Sequence, residues 1–126
     1  MAYAATITVE RQPLYIVVTI SETEATSTSE ATLEIMPKWG ALVRQAAEKT
    51  AGSCSTIDPL LGTASDPSGT DLVYANGTAA ADLDNLPAQP VPYFSSDGTL
   101  YHRSQPNSGS DNSITTKYYF LAKWRV

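Results

Sequence analysis

The chain has 126 residues, a net charge of −5, 42% hydrophobic residues and only 17% charged ones. A domain of that length buries most of the surface its unfolded chain exposes and needs no metal or disulfide staple, and the single cysteine, Cys54, excludes an intrachain disulfide and a cysteine-built zinc site. The acidic balance argues against a protein dedicated to coating nucleic acid, no signal peptide is expected from the opening residues, and the longest strongly apolar run, at 14–20, is too short to span a bilayer.

Residues 4–10 read as a strand with Ile7 and Val9 on one face, broken by Gln12-Pro13. Residues 14–20 form a second strand, nearly continuous in apolar side chains and therefore central and covered on both faces. The polar stretch 21–30 either extends that strand or forms a loop, and 32–36 alternates as a third strand ended by Pro37. Segment 38–50 is ambiguous. Trp39, Leu42, Val43, Ala46 and Ala47 stand at helical spacing, with Gly52 placed as a stop. Against that, Gly40 weakens a helix start, and Trp39, Ala41, Val43 and Ala47 also suit one face of a long strand.

Beyond Gly52 turn signals crowd the chain: Asp58-Pro59, Gly62, Asp66-Pro67 and Ser68-Gly69. Residues 71–75 read as a strand, and Asn76-Gly77 predicts a hairpin whose returning strand is 78–83. Pro87, Pro90 and Pro92 impose an extended stretch suited to a sheet edge. Tyr93-Phe94, the Asp97-Gly98 turn and residues 99–104 form a second candidate hairpin, and 114–124 closes the chain as a long aromatic strand. Short strands with turns between them predict a mainly β, single-domain antiparallel sandwich or barrel over 1–126, with one short helix near 38–50 as the open alternative.

Little in the sequence gathers for catalysis. His102 is the only histidine, and a Ser-His-Asp set is formally available with Ser104 or Ser95 and Asp97 or Asp111; a packed histidine beside Tyr101 and Arg103 is the stronger reading. Residues 66–71 place oxygen ligands around a glycine like part of a calcium loop but lack the closing acid. Asp82 and Asp84 share a strand face, as a solvated pair does, and Asn76-Gly77-Thr78 matches a glycosylation sequon already accounted for as a turn. No catalytic residue, metal site or cofactor is expected. The candidate interface residues are Tyr93, Phe94, Tyr101, Tyr118, Tyr119, Phe120 and Trp124, because aromatics alternating along a strand cannot all enter one core.

Serine and threonine number 28, so a neighbour can be met by desolvating hydroxyls, which costs far less than desolvating ions. All six glutamates precede Thr50, whereas Lys117, Lys123 and Arg125 follow the last acid, Asp111. This asymmetry allows attraction between subunits, with 10–34 as one contact surface and 118–125 as another.

Three stretches, ISETEATS at 20–27, TAGSCSTIDPLLGT at 50–63, and GTLYHR at 98–103 with SDNSITTKYYF at 110–120, together resemble small uncharacterised proteins encoded among the structural genes of tailed phages. The resemblance implies a virion part with no catalytic residue, and favours a strand at 38–50. The expected function is that of a non-enzymatic capsid decoration (cement) protein on the outer shell, a trimer or dimer bound to capsid or other virion proteins. It would be made in the host cytoplasm and contact neither nucleic acid nor membrane directly. A tail tube, terminator or baseplate piece is the first alternative. A carbohydrate-binding sandwich using Tyr93, Tyr101 or Trp124 is the second.

Overall fold

The computed structural model describes residues 2–34, 36–75, 77, 79–80 and 82–121. Among the described residues are ten strands: β1 (Ala4–Arg11), β2 (Tyr15–Ala25), β3 (Ala31–Leu33), β4 (Trp39–Ala51), β5 (Leu60–Gly62), β6 (Leu72–Ala75), β7 (Asp82–Asn85), β8 (Val91–Phe94), β9 (Leu100–Arg103) and β10 (Asn112–Leu121). They form two antiparallel sheets. The first has the order β1-β2-β10-β4-β7, with β8 also pairing to β4; the second has the order β3-β9-β5-β6. Ile16, Val18, Ile20, Leu42, Tyr118 and Phe120 of the first sheet pack against Ala31, Leu33, Leu61 and Leu100 of the second, with Met36 and Tyr93 in the same core. A smaller cluster of Ala25, Ala47, Cys54, Ile57 and Ile114 adjoins it. The expected β-sandwich is what forms.

The apolar run predicted to be central is β2, which lies between β1 and β10 and buries Ile16, Val17, Val18 and Ile20. The aromatic run at the end is the equally central β10, flanked by β2 and β4. The polar extension after Ile20 continues β2 to Ala25, and the chain then turns through a hydroxyl cluster at Thr26 and Ser29.

Segment 38–50 is a strand, not a helix. Both edges of β4 are hydrogen-bonded, to β10 on one side and to β7 and β8 on the other. Two-sided pairing overrides the helix propensity of Ala46-Ala47-Glu48. A bulge opposite Tyr119 and Phe120 makes the strand look helical in sequence: Arg44 pairs with Tyr119 and Leu42 with Phe120, so Leu42 and Gln45 both turn inward. That step of three breaks the period of two and imitates a helix. Gly40 also has a role here. It pairs with Tyr93 of β8, whose ring lies over the place where a Cβ would stand, 2.5 Å from Cε2.

Neither predicted hairpin forms. β6 pairs with β5 in the second sheet while β7 pairs with β4 in the first, and Ala79 bridges instead to Ile57; Asn76 and Thr78 lie outside the described residues. Likewise β8 pairs with β4 and β9 with β3 and β5. The turn between them is real: the Gly98 N–H donates to Ser95 O and Gly98 has a φ of 78°. It passes the chain from one sheet to the other, a connection that a turn motif alone does not distinguish from a hairpin.

Gly40→Ala is expected to force the Tyr93 ring off Gly40 and break its hydroxyl bond to Pro37 O, lowering stability by about 2 kcal/mol, typical of overpacking. A denaturant midpoint unchanged from the parent would refute that packing.

Candidate functional site

The main polar constellation is buried. Glu22 of β2, His102 of β9, Tyr118 of β10 and Gln45 of β4 are all sealed from solvent. His102 Nε2 lies 3.3 Å from Glu22 Oε1 and Nδ1 lies 2.7 Å from the Tyr118 hydroxyl. Tyr3 donates its hydroxyl to Glu22 Oε2 at 2.7 Å. Gln45 Nε2 donates to the Tyr118 oxygen and to Pro59 O, and Gln45 Oε1 accepts from Asn85. Leu60 O lies 3.2 Å from the Tyr118 hydroxyl. The one Tyr118 hydroxyl proton lies between Leu60 O and His102 Nδ1, and Glu22 Oε1 stands where an Nε2–H would donate to it.

The hydroxyl–histidine–acid chain is therefore Tyr118–His102–Glu22, and the sequence-level alternatives do not assemble. Ser95 is held in its turn by Asp97 and Thr99, Asp111 binds Ser53, and the buried Ser104 hydroxyl has no hydrogen-bond partner among the described residues. His102 is 0% exposed. Glu22 is drawn out of the acidic surface expected at 10–34, and Glu30 pairs with Arg103 there. Burial opposes the Glu30 charge, but bonds from the Asp66 N–H, Ser65 and Arg103 outweigh it and hold the carboxyl below its usual value. In the calcium-like stretch, the Asp66 carboxylate is taken by Arg103 and residues 69–71 close into a 3-10 turn.

The predicted interface aromatics divide between core and surface. Tyr93, Tyr118 and Phe120 turn inward; their rings pack edge-on or tilted within the core and offer nothing to a partner. Phe94 and Tyr119 stand on the outer face of the first sheet, Tyr101 is half-buried on the outer side of β9, and Trp124 lies outside the described residues. Trp39 and Tyr15, which sequence reasoning did not single out as contact residues, join the outward set. Trp39 is 53% and Phe94 49% exposed, with ring centroids 4.5 Å apart across the β4–β8 pair. Tyr15 and Leu14 project at the same end of the sheet, where β2 and β4 begin and β10 ends. The missed signal was alternation: with Gly40 turned inward beneath Tyr93, Trp39 must point out.

Next to this aromatic band the outer face forms an open groove of about 660 Å³ whose walls include Arg44, Glu48, Asp82, Asp84, Lys117 and Tyr119. Arg44 lies over the Tyr119 ring and grips Asp84 with two bonds of 2.7 and 2.6 Å, holding that carboxyl below its usual value. Toward β1 hydroxyls predominate: Thr19 and Ser21 of β2 stand between Lys117 and Thr115 of β10 and Thr8 and Thr6 of β1, with Glu10 beyond Thr8 on the same face.

No protein-family model matches the chain, and no curated protein does. Among solved structures, the chain is similar to one in the cyanophage Pam1 capsid asymmetric unit, with 13% identity and a TM-score of 0.49, over 94% of this chain and 86% of that one. Among the described residues, no helix is long and apolar enough to cross a membrane.

Two measurements probe the buried network. Glu22→Ala strips His102 and Tyr3 of their shared acceptor and is expected to cost about 3 kcal/mol, against about 1 kcal/mol for Tyr3→Phe; equal urea midpoints would refute the coupling. Burial, then the neighbouring Glu22 charge, pushes the Tyr3 phenol up. Burial does the same to Tyr93 and Tyr118. Their contribution is complete below the unfolded value of about 10 and is lost as pH rises beyond it. Stability should therefore begin to fall at about pH 10 and keep falling above it, and Tyr93→Phe should make that fall shallower.

Proposed function

We propose that this chain is a non-enzymatic structural subunit of a virion and, more specifically, a decoration protein that seats on the outer face of a tailed-phage capsid shell. The observation that carries the reading is the separation of its chemistry from its surface. The histidine, its acid and its hydroxyl are locked inside, tying the sheets together, while Trp39, Phe94, Tyr15 and Tyr119 stand outward on a broad sheet face. Exposed aromatics that bury against a partner supply most of an interface's energy, and the hydroxyl rows toward β1 give up water at small cost.

The phage assignment is supported by the stretches that carry the sequence resemblance, which the fold brings together. Asn112 Oδ1 accepts the Cys54 N–H, and Asp111 takes both the N–H and the hydroxyl of Ser53. Segments 50–63 and 110–120 are thus tied together through Asp111 and Asn112, an arrangement that suits a shared fold over scattered likeness. A sugar-binding role loses Tyr93 as a stacking platform, since that ring is in the core.

The test is co-sedimentation of the purified protein with empty heads, and separately with tails, of the phage that encodes it. Saturable binding to heads is expected. Replacing Trp39 and Phe94 together by Ser should weaken it at least about tenfold, as loss of a central hot spot does, with the denaturation midpoint little changed. Binding to tails alone would move the protein to the tail. Binding to neither, or a glycan-array signal that the double substitution abolishes, would overturn the reading.

A further inference from the structure

The sandwich protects most of its open edges. In the second sheet the outer strands are β3, with three residues, and β6, with four. In the first sheet one side ends in β7 and β8, four residues each, with Pro87 following the former and Pro92 inside the latter. Short edge strands and prolines are how proteins prevent unwanted pairing. The opposite side is built differently. β1 runs eight residues in unbroken register with β2, from Ala4 opposite Thr23 to Arg11 opposite Ile16. It has no proline, glycine or bulge, and no charge before Glu10. Among the described residues no strand pairs with its free side.

A second feature points the same way. Ile7 pairs with the fully buried Ile20 and so lies on the core side of the sheet, yet it is 36% exposed. Ala5 and Val9 beside it are only partly covered. An apolar row on the core side of an edge strand is positioned to continue into a neighbouring strand.

We propose that β1 is an assembly edge, and that its occupant is β1 of a second copy of this chain, paired antiparallel about a twofold axis at Ile7. The strand is complementary to itself in this register. Ile7 meets Ile7 and Ala5 meets Val9 on the core side, so the exposed apolar row is buried against its own image. Thr6 meets Thr8 on the outer side, a favourable cross-strand pair, and carries the hydroxyl rows of Thr19 and Ser21 across the seam. Glu10 faces Ala4 and Arg11 faces Tyr3, so no like charges oppose. A closed twofold contact uses up both edges, ending growth at two copies rather than propagating a fibre. For the need of a partner this rests on the preceding reading of the chain as an assembly subunit, and it specifies which contact joins the copies.

Sedimentation equilibrium and an engineered cross-link test it. The parent protein should be a dimer at micromolar concentration. Ile7→Lys, which places an inward charge on the edge, should make it monomeric, with the parent's far-UV spectrum and a melting midpoint that no longer rises with protein concentration as the parent's does. Leu72→Lys, at a site of matching exposure, 38% against 36%, should remain dimeric. Ile7→Cys should form an intermolecular disulfide under mild oxidation, and Leu72→Cys should not. A parent protein that stays monomeric at millimolar concentration, or a dimer that survives Ile7→Lys, overturns the proposal. The two readings fail separately: a dimer with no affinity for heads or tails removes the virion role and leaves this contact standing, while a monomer that binds heads does the reverse.

Discussion

The polar link between the sheets fixes their relation to each other. Glu22, Gln45 and Tyr118 come from the first sheet; His102 and the Leu60 carbonyl come from the second, with the Pro59 carbonyl beside it. Apolar contacts across a sandwich tolerate small slides, because any well-filled arrangement buries similar area. A buried imidazole bonded at both nitrogens does not. Sliding β9 by one residue would turn His102 to solvent and leave Glu22 and Tyr118 with unmet partners in a low-dielectric core. The net stabilisation from such a group is small beside the cost of breaking it, so its main effect is to select one register. The smaller apolar cluster and the aromatic packing of Tyr93, Tyr118 and Phe120 then settle around that choice.

The outer surfaces follow from where the inner groups go. Because Tyr118 and Phe120 are committed to the core, the strand's alternation sends Lys117 and Tyr119 outward; because Gly40 leaves room for Tyr93, Trp39 and Phe94 face out together. The outer side of the first sheet thus grades from an aromatic band, through the Arg44–Asp84 pair, to rows of threonine and serine ending at the open edge of β1. Such a surface is suited to contact with large, flat partners. Arg44 and Asp84 neutralise each other there, its hydroxyls are cheap to desolvate, and its apolar area is concentrated in a handful of rings.

Much of this was legible in the sequence. The β class, the central position of the apolar run at 14–20, the aromatic closing strand and the division of its residues between two faces all follow from a period of two and from side-chain hydrophobicity. Which of those two faces is the outer one, the face of Tyr119, came only from the structure. The ambiguity at 38–50 has a physical origin: a bulge inserts one residue, and the step from Leu42 to Gln45 then looks helical. The buried histidine set was unreadable for a different reason. Its members, at 22, 45, 102 and 118, are scattered along the chain, and only the crossing of β9 over β2 and β10 unites them.

Local chemistry specified where the chain bends and which side chains seek the interior, because turn geometry and hydrophobicity act over a few neighbouring residues. It did not specify which strand each bend delivers to which sheet. The Asp97-Gly98 turn, read as a hairpin, is a corner between sheets, since β8 finds its hydrogen bonds on β4 and β9 finds its own on β3 and β5. Choices of that kind are made by long-range competition for backbone partners and for core volume. The position of every buried polar group and every free edge in this protein depends on them.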